Sequence, residues 1–181
     1  MNTLQSQRNE VARITQRGIG MTLAACLYWL GLAMVTAWSG WQPRALGLFL
    51  VLGTTLVYPL GWLLTRWCGG DLFARGHPLA GLIAVFAFTQ VLGWPLLAIL
   101  FLRDIALLAF AVAILLGAHF LPFGWLYRSR TYAVLGVLAV LVATLLQWRW
   151  PLHGSIGIPL AMALLYALAA GAVWRENRRA R

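Results

Sequence analysis

His119 is an imidazole inside a long apolar run. The stretch around it, GAHFLPFGWLYRSR from Gly117 to Arg130, adds Pro122, Trp125 and two arginines. Within lipid a polar or ionisable side chain is costly, so each one invites a functional reading. With span centres at the middle of each apolar run, Tyr28, Thr54, Thr55, Tyr58 and Gln90 fall within roughly 5 Å of a bilayer midplane. His119 falls roughly 5 to 6 Å from it, toward the arginine-rich side. The pattern predicts a polar layer in the first four runs, suited to hydrogen-bonding a small molecule or a lipid. The competing reading is local: Thr and Tyr bond nearby carbonyls, and Gln90 joins two helices for about 0.6 to 2 kcal/mol. His119 is expected to face the bundle interior or a cavity, with Tyr58, Gln90 or the Ala118 carbonyl as its partner. Pro59, Pro95 and Pro122 remove bonds to the carbonyls of Thr55, Val91 and Ala118, leaving kinks or exposed ligand oxygens.

A second group, Asp71, Arg75 and His77, shares a glycine-rich loop, CGGDLFARGHP, and offers anion binding or acid–base chemistry. No acid, nucleophile and base stand at a recognised spacing, and there is no GxSxG, HExxH or phosphate loop, so no catalytic residue is assigned. Cys26 and Cys68 fall at different depths, which argues against a disulfide. No Cys/His metal spacing occurs. Neither a metal nor a cofactor is expected. No carboxylate lies within the apolar runs, which argues against the Asp/Glu relay of proton-driven pumps.

The elements that position these residues follow from composition. Of 181 residues, 62% are apolar and 10% charged, whereas a soluble domain needs roughly a quarter charged. The apolar residues form six runs, about 19–38, 45–67, 79–101, 104–127, 131–147 and 154–174, each long enough to cross a bilayer. The expected fold is an all-α membrane protein, a bundle of six transmembrane helices. Residues 1–18 form an N-terminal tail and 175–181 a basic C-terminal tail. Pro78 suits the first turn of the third span. Trp148, Arg149, Trp150, Pro151 and His153 make the turn before the sixth.

The charge of +10 comes from 14 arginines, with no lysine, against Glu10, Asp71, Asp104 and Glu176. The arginines sit in loops and tails, so they report topology, and no nucleic-acid partner is expected. Only Arg44, Arg103 and Arg149 lie on one side; the other eleven lie with both termini, which places the termini in the cytoplasm. Tryptophan agrees: Trp38, Trp41, Trp148 and Trp150 mark outer span ends, and Trp62, Trp67, Trp125 and Trp174 inner ones.

The sequence Pro59-Leu60-Gly61-Trp62-Leu63 recurs as Pro122-Phe123-Gly124-Trp125-Leu126, which suggests that the hairpins of spans 1–2 and 3–4 form a parallel repeat. Ala163, Ala167 and Gly171 stand at four-residue spacing, so the sixth span is expected to pack through them. A homo-oligomer is compatible with such a surface.

The segments His77-Pro78-Leu79-Ala80-Gly81-Leu82 and Gly117 to Tyr127 resemble a family of small bacterial multi-pass membrane proteins of unknown function. The resemblance implies a bacterial inner (plasma) membrane and supplies no site residues. The leading functional reading is therefore a membrane protein that binds or passes a small molecule or lipid through the polar layer. A structural or accessory subunit is one alternative. A membrane-embedded enzyme acting at the cytoplasmic face through Asp71, His77 or His119 is the other. The arginine distribution makes the topology testable: alkaline phosphatase fused after Arg44, Asp104 or His153 is expected to be active, and after Asp71, Arg130 or Arg181 inactive. Activity at Arg181 would exclude the six-span arrangement.

Overall fold

The computed structural model describes residues 3–151 and 154–180. His153, expected in a turn, and Arg181, expected in the tail, lie outside the described residues. Helices dominate: α1 (Leu4–Ile14), α2 (Ile19–Trp38), α3 (Pro43–Trp67), α4 (Ala80–Phe88), α5 (Trp94–Arg103), α6 (Leu108–Ala118), α7 (Phe120–Leu126), α8 (Arg130–Arg149) and α9 (Gly154–Arg179). No strand occurs among the described residues. Six helical stretches are long and apolar enough to cross a membrane. Helix is the form such sequences must take in lipid, because it bonds every backbone N–H and C=O within the segment.

Two spans are interrupted. Between α4 and α5 the chain tightens into a 3₁₀ turn over Val91–Gly93, and between α6 and α7 it breaks at His119. The Val91 carbonyl, which Pro95 deprives of its usual donor, accepts the N–H of Trp94 instead, so it is not an open ligand. At Pro59 α3 continues unbroken. The tails also differ from expectation. α1 is a helix whose Val11 and Ala12 are buried, and α9 continues to Arg179, so most of the basic C-terminal tail is helical. Pro78 sits two residues before α4, in the turn that precedes it rather than in its first turn.

In the bundle, α2 packs against both α3 and α9, while α8 packs on α6, α7 and α9. Glycine sets the closest approaches. A Cβ on Gly20 would lie 2.2 Å from the Thr65 backbone N and 2.3 Å from the Gly61 O, and one on Gly117 would lie 2.5 Å from the Ala139 Cβ. The sixth span packs tightly, but not through the expected stripe: Ala163 is buried, whereas Ala167 and Gly171 are exposed. The buried face of α9 carries Ile158, Met162, Tyr166, Ala170, Val173 and Asn177. Small size alone did not identify the contact face, because larger side chains fill it.

The repeated Pro-x-Gly-Trp-Leu segments are used differently. Gly61 faces Met21 of α2, the preceding span, whereas Gly124 faces Ala133 of α8, the following one. A parallel repeat of hairpins 1–2 and 3–4 would turn Gly124 toward the third span, so the motif does not mark such a repeat. The third span (α4 and α5) is the most peripheral, with little of its surface covered.

These packing distances predict that Gly20→Ala and Gly117→Ala lower thermal stability in detergent, by about 1 to 3 kcal/mol each. Ala167→Leu is expected to be near neutral. Equal losses at all three positions would contradict the packing described.

Candidate functional site

The sequence-derived polar residues divide into two groups. Thr54, Tyr58, Gln90 and His119 line one cavity; Tyr28 and Thr55 do not. Tyr28 donates its hydroxyl to the Leu50 carbonyl at 2.7 Å, tying α2 to α3. Thr55 is exposed on the apolar perimeter and donates to Leu52 O at 2.6 Å, and Thr54 likewise donates to Val51 O at 2.6 Å. Local carbonyl bonding thus satisfies these hydroxyls. Gln90 uses its Nε2 to donate to Leu115 O at 3.2 Å, pinning the interrupted third span to α6.

His119 is half-buried at the α6–α7 break and faces the cavity. Its ring lies edge-on to Phe123 at 5.1 Å and Phe120 at 5.6 Å. The imidazole is near enough to the Phe86 backbone for a weak hydrogen bond, and Nδ1 meets no partner at ordinary hydrogen-bond geometry. Of the partners expected from sequence, Gln90 gives its Nε2 to Leu115 O instead.

Sequence reasoning missed the aromatic walls. Phe120, Phe123, Tyr127 and Tyr132 line the same space, with Phe120 stacked on Tyr132 at 5.1 Å. Their signal was the crowding of rings on both sides of the Arg128–Arg130 turn. The free volume is about 90 Å³, room for a few waters or a short apolar group, and below the 300–1,000 Å³ usual for drug-sized ligands. α4 carries Ile83 and Ala87 into the lining, with Gln90 two residues past its end, and is backed mainly by α7.

The arginine-rich end of the bundle is closed by a network that joins residues far apart in sequence. Gln16, Arg17 and Gly18 have φ of 49°, 51° and 61°, a left-handed turn that costs a non-glycine residue about 1 to 2 kcal/mol. Partners from other helices hold it. Tyr132 donates its hydroxyl to Arg17 O at 2.6 Å, and Asn177 donates Nδ2 to Gln16 O at 2.9 Å. Arg17 donates Nη1 to Asn177 Oδ1 at 2.7 Å, and its Nε lies 3.7 Å from Glu176 Oε2. The other carboxylate oxygen, Glu176 Oε1, accepts from the Thr131 N–H and hydroxyl at 3.2 and 2.7 Å. α1 is fastened beside this network: Arg8 stacks 4.3 Å from the centre of the Trp125 ring and donates to the Trp125 carbonyl, while Asn9 accepts from Arg128 at 3.0 Å.

The loop residues also separate. His77 is buried, accepting the Leu79 N–H on Nδ1 at 3.1 Å, with Nε2 3.8 Å from Glu10 Oε2 of α1. Asp71 and Arg75 lie instead in an open depression with Arg66. Asp71, His77 and His119 therefore do not share a pocket, and the three have no common acid–base geometry. Among the described residues no group of three or more His, Cys, Asp or Glu side chains is placed to hold a metal ion.

Six apolar spans, five of them lining an aromatic cavity, with a polar network at one end, define an all-α multi-pass membrane protein. Within that class the chain belongs to a family of unknown function, DUF7010, whose model matches residues 4–176. No curated protein and no solved structure matches the chain.

The network predicts that Glu176→Ala, which leaves the Thr131 donors without their acceptor and Arg17 without its ion-pair partner, lowers stability by about 1 to 3 kcal/mol. Arg178→Ala, which removes an exposed side chain outside those contacts, is expected to change it little. Thermal unfolding of both purified variants is the check.

Proposed function

We propose that this protein binds a small lipid-like molecule in the aromatic cavity, with the ligand reaching it from the bilayer beside the third span. The observation that carries the reading is His119: its Nδ1 is buried without a partner in a cavity walled by Phe120, Phe123, Tyr127 and Tyr132. A buried polar atom left unpaired costs about 1 to 3 kcal/mol, and a ligand hydroxyl or amide would recover it. The volume suits the short polar-headed end of a molecule whose remaining length lies in lipid. The weak backing of α4 supports access there, since α4 can shift without disturbing the α2–α3–α9 contacts. The proposed setting is the plasma membrane of a bacterium with both termini cytoplasmic; the eleven-to-three arginine split supports that orientation.

In the purely structural reading of His119, its imidazole holds α4 through the Phe86 backbone instead. If the role is binding, His119→Leu is expected to fold as stably as the parent or slightly better, because it removes an unpaired polar atom. It should also lose the bound species. Ala87→Phe, which fills the cavity, should lose it too, and His119→Gln should retain part of it. The measurement is mass spectrometry of small molecules and lipids extracted from the purified protein, paired with thermal unfolding. A parent protein that carries nothing these variants lose would end the proposal.

A further inference from the structure

Beyond the cavity, an open depression of about 440 Å³ lies where α3 ends and the glycine-rich loop begins. Arg66, Arg75 and Asp71 line it, with Trp62 and Phe73 on its wall. Among the described residues, neither guanidinium has a hydrogen-bond or ion-pair partner; Arg75 lies only near the Phe73 ring, 5.7 Å from its centre. Asp71 is held in place by the chain itself: Oδ1 accepts the Phe73 N–H at 3.1 Å and Oδ2 the Arg75 N–H at 3.4 Å. Each carboxylate oxygen keeps a free lone pair. Gly69, at φ 79°, makes the left-handed turn that brings the loop back beside Arg66.

We infer that this depression binds the headgroup of a zwitterionic phospholipid of the phosphoethanolamine type. Two guanidinium groups form the planar, forked donor set that suits a phosphate, and the carboxylate beside them suits an ammonium. A headgroup with phosphate alone meets Asp71 as a repulsion; one carrying both charges meets a partner for each. The membrane as the source follows from position. The site lies at the end of a span, and Trp62 and Phe73 are each 38% exposed on its wall, with Trp67 at 77% on the same last turn. Aromatic residues of this kind prefer the headgroup level of a bilayer. The Phe73 ring packs on Tyr58 at 6.4 Å, so the site adjoins the cavity but does not require the cavity to be occupied.

The test uses the full-length protein, delipidated in detergent, with dioleoyl phosphatidylethanolamine, the corresponding phosphatidylglycerol, and soluble phosphoethanolamine as separate probes. Bound fractions are read by native mass spectrometry. The parent is expected to prefer phosphatidylethanolamine over phosphatidylglycerol. Removing one charge-assisted contact, in Arg66→Gln or Arg75→Gln, should weaken that binding by about ten-fold or more. Arg75→Lys, which keeps the charge and loses the fork, should fall between. Asp71→Asn should abolish the preference by weakening phosphatidylethanolamine and sparing phosphatidylglycerol. Arg44→Gln, on the opposite side, and His119→Leu, in the cavity, should change nothing, and the latter separates this site from the function proposed above. Unchanged binding in Arg66→Gln and Arg75→Gln, or an equal loss in Arg44→Gln, overturns the site. A parent that favours phosphatidylglycerol overturns the zwitterionic assignment. Soluble phosphoethanolamine binding as tightly as the lipid overturns the membrane source.

Discussion

In hydrocarbon a backbone N–H or C=O has no water to turn to, and each one left unpaired costs several kcal/mol. The architecture follows from that constraint, and so do its exceptions. Where the third span is interrupted, a substitute takes over the bond that Pro95 removes. The Val91 carbonyl takes the Trp94 N–H across a 3₁₀ turn. At the other break the Leu115 carbonyl keeps its ordinary helical bond from the His119 N–H and also accepts the Gln90 side chain, each at 3.2 Å. Gln90 and His119 thus meet at a place where two interrupted spans pass each other. Both border the cavity, where irregular backbone lines an internal space rather than facing lipid.

Packing then decides which helices are closely held and which lie at the edge. α2 approaches α3 backbone to backbone at Gly20, and α6 approaches α8 at Gly117. Without a hydrophobic drive between helices in lipid, such close van der Waals contact is what holds a bundle together. The third span meets α6 closely only at Gly93, beside the Leu115 side chain, and presents Val85, Phe88, Leu92 and Leu96 to the outside. Five spans thus cover one another more fully than they cover the third.

Charge is handled in the same economical way at the arginine-rich end. Arg17 adopts a left-handed conformation that neither its type nor its neighbours favour, and Glu176, Asn177 and Tyr132 hold it there from two other helices. Segments that look like solvated tails are therefore parts of the folded bundle: α1 buries Val11 and Ala12, and the last turns of α9 supply the acceptors. The network joins both chain ends to the turn before α8, directly below the cavity.

The number, length and helical character of the spans were legible in the sequence, because apolar run length and the need to satisfy backbone groups in lipid leave one solution. Composition also marked Thr54, Tyr58, Gln90 and His119 as polar residues at similar depth, and the fold brings these four to one cavity. Depth follows from counting residues along a helix; direction around the helix does not. Hence Tyr28 and Thr55 were grouped with the others, although one bonds a neighbouring helix and the other faces outward. For the same reason small residues were assigned to the contact face of α9, where Tyr166 and Met162 pack instead. The long-range partners of Arg17, the burial of α1 and the separation of His77 from Asp71 were decided only in three dimensions. Each depends on which helix stands beside which, and with apolar residues on almost every face, periodicity carries no record of that choice.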